Sequence, residues 1–146
     1  MKRFNKEKDS IRSSAIRRGF NNVPYNKMKQ HLITEVAEVI DAWNYSAYDA
    51  WYDADKECGF FSELADIIIL SISGELSNTW WCADSPFPIP QDTDLFILLL
   101  AKSASNINRV NSLPHTIIEW CASNGYENEL LESFNSKIKY NKERKD

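Results

Sequence analysis

The sequence is poor in several things that would point to particular functions. It has only four glycines and two histidines. So few glycines leave long segments free to be helical, and two histidines are few for a histidine-rich metal site. Its three cysteines, Cys58, Cys82 and Cys121, are odd in number, widely spaced and form no Cys-x-x-Cys. That argues against a disulfide framework or a zinc knuckle and for three small, mostly buried thiols in a cytoplasmic protein. Basic residues are not in excess: the formal net charge is −4, and a broad nucleic-acid-binding surface would need the opposite sign. The apolar runs Leu64–Leu70 and Leu95–Ala101 are too short to span a bilayer. The start, Met1-Lys-Arg-Phe-Asn-Lys-Glu-Lys, lacks the apolar core of a signal peptide.

What remains is helical. Long segments show a 3.6-residue rather than a two-residue period, so the chain reads as a single all-α domain over residues 1–146, a helical bundle with a genuine core. A polar first helix is expected from Lys6 to Arg18, stopped by Gly19. Pro24 and Asn26 open a second helix to Trp43, with Leu32, Ile33, Val36, Ile40 and Trp43 on one apolar stripe. Residues 44–59, rich in Tyr, Trp and Asp, read as a loop or a distorted turn. A third helix from Phe60 to Ser73 is apolar nearly all round, as in the middle of a bundle, and is expected to end at Gly74. An irregular connection with Trp80, Trp81 and three prolines follows. Asp92-Thr-Asp94 then starts a fourth helix to Asn111; Pro114 precedes a short one to Ser123, and a basic last helix covers Glu127 to Lys142.

The chemistry lies in four carboxylates, Glu35-Val-Ala-Glu38 and Glu63-Leu-Ala-Asp66. A three-residue spacing puts each pair on one helix face, one turn apart. A Glu-x-x-Glu pair taken alone is most often a solvated helix surface. Here both pairs interrupt apolar stretches on consecutive helices, where ionised carboxylates need a partner. Packed side by side, such helices offer an oxygen-rich site for Mg²⁺ or Mn²⁺, with positions left for water and phosphate. A di-iron site would want Glu-x-x-His motifs, which His31 and His115 do not supply. His31, one turn before Glu35, reads either as a partner standing behind that carboxylate or as a satisfied structural histidine, the latter being the more ordinary use.

The arrangement resembles the signature of the all-α nucleoside triphosphate pyrophosphohydrolases, the MazG-like group related to the dimeric dUTPases. Arg18-Gly-Phe20 is similar to the phrase that often precedes the first metal helix in that group. Lys137-x-x-Tyr140-Asn141-Lys142-x-Arg144 is similar to its C-terminal phrase. The resemblance covers residues 17–74 and 135–144; the intervening 75–134 is carried only by its helical character. It implies a four-helix core and a Mg²⁺-dependent enzyme (Mn²⁺ as an alternative) that hydrolyses a (d)NTP to the monophosphate and pyrophosphate in nucleotide-pool house-cleaning. Glu35, Glu38, Glu63 and Asp66 would hold the metal, with Glu35 or Glu38 orienting or deprotonating the attacking water. Lys137, Lys142 and Arg144 would contact phosphates, and Asn141 would hydrogen-bond the nucleotide. Relatives often pair, which implies a homo-oligomer, a dimer first, whereas an internal repeat would argue for a self-contained bundle.

Two departures stand out. Thr34 occupies a position where many members carry another acid, and the chain ends Arg144-Lys145-Asp146 where relatives often continue. They motivate the alternative of a catalytically silent bundle that binds nucleotide or a protein partner. Leu99–Ile107 can also be laid over Leu32–Ile40, with Lys102 and Ser105 where the glutamates stand. A degenerate second copy and coincidence both remain open. Trp43, Tyr45, Tyr48, Trp51 and Tyr52 offer rings for a base, or equally for the core or a subunit interface, and nothing separates a pyrimidine from a purine pocket.

Overall fold

The computed structural model describes residues 5–17, 23–46, 59–76, 88–106 and 112–143. Every regular element among them is a helix: α1 (Asn5–Arg17), α2 (Tyr25–Ser46), α3 (Phe60–Leu76), α4 (Thr93–Ser105), α5 (Leu113–Ser123) and α6 (Glu127–Glu143). None is long and apolar enough to cross a membrane. The expectations placed on Gly19, Phe20, residues 47–58, Trp80, Trp81, Cys82, Asn111 and Arg144 lie outside the described residues.

Helix α3 is the hub, packed against α1, α2, α5 and α6. Its sequence explains why: Leu64, Ala65, Ile67, Ile68 and Ile72 point in several directions around the helix, and all are fully buried. It runs past the expected stop, and Gly74 is buried inside it. Glycine weakens a helix interior by only about 1 kcal/mol, less than packing on several sides contributes. The buried hydroxyls of Ser71 and Ser73 donate back to the carbonyls of Ile67 (2.8 Å) and Ile69 (2.9 Å), so they need no outside partner.

The other helices are set by local signals. The Pro24 carbonyl accepts from the Lys27 and Met28 amides at 3.1 Å and starts α2. That helix continues to Ser46, past the expected end at Trp43. Its core face is Met28, Leu32, Val36, Val39 and Ala42. Ile33, placed on the apolar stripe by its spacing, is instead 45% exposed, because the face that meets α3 and α4 is turned toward Val39.

Asp92 caps α4, its carboxylate accepting from the Leu95 amide at 3.0 Å. This helix ends at Ser105, well short of Asn111: Ser105 turns its hydroxyl onto the carbonyls of Ala101 and Lys102, and Asn106 is extended. Pro114 lies in the first turn of α5. Gly125, at φ +77°, reverses the chain in the left-handed region that glycine tolerates best. The Tyr126 amide then reaches back to the Cys121 carbonyl at 2.8 Å. Cys121 is buried, and its thiol is pushed up to about 12, by burial first and by Glu129 second, which leaves it inert.

Candidate metal centre

The two carboxylate pairs meet where α2 packs on α3. One oxygen from each of Glu35, Glu38, Glu63 and Asp66 lies within 4.8 Å of all the others. The i, i+3 spacing supplies two carboxylates per helix, and the packing of apolar neighbours such as Val36, Val39, Leu64 and Ile67 holds them at one level. Glu38 is on the open side. Glu63 is the deepest, only 8% exposed.

Crowding and burial penalise negative charge here. Glu35 is pushed up to about 8, first by burial, then by a hydrogen bond with Glu38 and by the charges of Asp66, Glu38 and Glu63. Glu63 is pushed up to about 8 for the same reasons, against a small opposing pull from Lys137. Asp66 is also raised by burial, opposed mainly by Lys137. Even so, Glu35 Oε2 and Glu63 Oε2 are buried with no hydrogen-bond partner. Buried carboxylate oxygens without partners are costly, and a hard cation relieves that cost directly. The donor set, four carboxylates and no sulfur, fits Mg²⁺ or Mn²⁺.

Residues of two further helices, α1 and α6, and His31 of α2 surround the cluster. Lys137 of α6 places Nζ 3.3 Å from Asp66 Oδ2. His31 Nε2 lies 3.5 Å from Glu35 Oε1, and the ring is half exposed. It therefore stands beside the site, as a partner of Glu35. Beside the cluster opens a cavity of about 240 Å³, bordered by Glu35, Asp66, His31, Lys137 and Asn141. Its far wall is Ser10 and Ser14 of α1, with Tyr140 of α6. Ser14 Oγ is buried with no hydrogen-bond partner. Nothing in the polar pattern of α1 singled these serines out.

Of the residues read as nucleotide-binding, the structure brings Lys137 and Asn141 to the cavity. Lys142 is exposed and does not line it. The backbone carbonyls of Asn141 and Lys142 accept instead from the Arg17 guanidinium, at 2.7 and 2.9 Å, tying α1 to the last turn of α6. Thr34 donates to the Gln30 carbonyl of its own helix at 3.1 Å and adds nothing to the cluster. Lys102, laid over Glu35 in the internal echo, is exposed on α4, a helix of 13 residues against 22 in α2. Trp43 packs against Phe60 and donates to Asp94 Oδ1 at 3.0 Å, a structural use of that ring.

No protein-family model, curated protein or solved structure matches the chain.

Proposed function

We propose that the chain is a Mg²⁺-dependent nucleoside triphosphate pyrophosphohydrolase of the MazG-like kind, with that group's four-helix core. The observation that carries this reading is the convergence of Glu35, Glu38, Glu63 and Asp66 at the α2–α3 contact, two of them with orphaned buried oxygens. These four side chains would hold the metal, with Mn²⁺ as the substitute. Bound there, the ion would neutralise triphosphate charge and make a water molecule more acidic.

The chain's own groups supply the rest. Glu38, on the open side, is the group best placed to orient water and take its proton, with Glu35 as its neighbour. The water oxygen bonds to phosphorus as the bridging bond between the α and β phosphates breaks. The monophosphate leaves on one side and pyrophosphate on the other. Lys137 and Asn141, one turn apart on α6, offer an ammonium and an amide to the phosphates from the cavity wall. A homodimer, expected from the resemblance, goes with this reading and is checked by sedimentation velocity.

A panel of standard and modified (d)NTPs, assayed with Mg²⁺ and with Mn²⁺, tests the proposal by separating pyrophosphate from orthophosphate release. At least one nucleotide should yield pyrophosphate, and Glu38→Gln should abolish that release while leaving the helical content intact. A Glu38→Gln protein as active as the parent sinks the assignment. A catalytically silent nucleotide-binding bundle is the second reading, favoured by the Lys137–Asp66 ion pair, which already neutralises part of the cluster. Binding of nucleotide with metal but no turnover of any panel member would select it.

A further inference from the structure

We infer that Lys137 is the resident counter-cation of the carboxylate cluster, exchanged off Asp66 when a divalent metal binds and thereby delivered to the cavity as a phosphate-binding ammonium. The inference rests on the metal-site reading above and adds an order of events to it: metal first, nucleotide second.

The geometry is that of a lysine with two destinations. Its ammonium is 3.3 Å from Asp66 Oδ2, and both side chains are largely buried but not sealed, at 21% and 25% exposure. The same lysine borders the cavity that extends from the cluster past Asn141 to α1. A lysine carries its charge on a flexible four-carbon stem, so Nζ can leave Asp66 for the cavity without moving α6. Helix α6 is itself held by Ile138 and Phe134 in the core and by Arg17 on its last carbonyls. A divalent ion shared with Asp66 would supply the positive charge that the ammonium now supplies and would repel the ammonium at close range. Phosphate oxygens entering the cavity would then meet a lysine already released toward them. Without metal the lysine stays on Asp66 and the cavity lacks its strongest anion donor.

Calorimetric titration of Mn²⁺, without nucleotide, into the wild type, Lys137→Gln and Lys137→Arg proteins tests the exchange. Lys137→Gln removes the competitor and should bind Mn²⁺ about two- to fivefold more tightly, the range expected for a partly exposed ion pair. Lys137→Arg, whose planar fork grips a carboxylate with two hydrogen bonds, should bind no more tightly than wild type. A second readout needs no substitution: reductive methylation of the folded wild-type protein, followed by peptide mass spectrometry. Mg²⁺ should increase labelling of Lys137 relative to Lys139, the exposed lysine two residues along the same helix. Equal Mn²⁺ affinity in wild type and Lys137→Gln, or Lys137 labelling that ignores Mg²⁺, overturns the exchange while leaving the metal site standing. Absence of Mn²⁺ binding in all three proteins overturns both.

Discussion

The packing around α3 treats polar groups in opposite ways at two levels one turn apart. At the helix start, Phe60 packs edge-on to Trp120 (centroids 6.0 Å apart), which stacks flat on Phe96 at 4.2 Å. Each indole there that needs a partner has one: Trp120 Nε1 donates to the Gln91 carbonyl at 3.2 Å and Trp43 Nε1 to Asp94. One turn later, Glu63 and its neighbour Glu35 keep oxygens buried and unpaired. The indoles packed near the start of α3 thus have partners, whereas the carboxylates one turn later keep oxygens without one. Residues that violate the usual satisfaction of buried polar groups are where a ligand is to be sought.

The contrast can be broken from either side. Trp120→Ala empties the aromatic region and should cost about 3–5 kcal/mol, seen as a large fall in Tm; the protein that remains folded should keep its Mn²⁺ affinity. Glu63→Gln attacks the other region. It should abolish the stabilisation by metal, which for the parent is about 2.7 kcal/mol at a hundredfold excess over Kd, while leaving the metal-free protein as stable or more so. If Glu63→Gln unfolds the metal-free protein, the cluster is a structural element and the contrast disappears.

The pH response sharpens it further. Glu35 and Glu63 hold their protons up to about 8 in the folded protein but release them near 4.5 when unfolded. Between those values the folded state binds more protons, so the stability these two groups contribute to the metal-free protein should be fully present below about 4.5, fall as pH rises toward 8, and be gone above it. Denaturant titrations across that window should show the decline, and saturating Mg²⁺ should flatten it. Last and smallest, Asp92→Ala removes the α4 cap, which should cost about 1 kcal/mol and leave metal binding unchanged.

Much of the cluster was legible because it is written in local spacing: i, i+3 pairs within apolar helices can be read without knowing the fold. The helical class was legible for the same reason. What spacing does not carry is the direction each helix face takes against its neighbours. Ile33 looked like core and is exposed, because the contact with α3 and α4 turned the helix toward Val39. Gly74 looked like a stop and is a buried helical residue, because tertiary packing outweighs one residue's propensity. The end of α4 at Ser105 reflects serine and asparagine side chains competing for backbone groups, a weak signal beside the apolar run before it. The cavity's far wall, Ser10 and Ser14, and the reach of Lys137 to Asp66 join residues more than fifty positions apart, and no local pattern announces such a meeting.

The tie between Arg17 and the carbonyls of Asn141 and Lys142 has a consequence in time. The cavity takes residues from both α1 and α6, so it cannot close while the helices between them are still emerging. During that interval the α2–α3 carboxylates face an unfinished bundle with Lys137 not yet made. A nascent chain in that condition would be expected to gain most from ambient divalent cations before the lysine arrives to share the load.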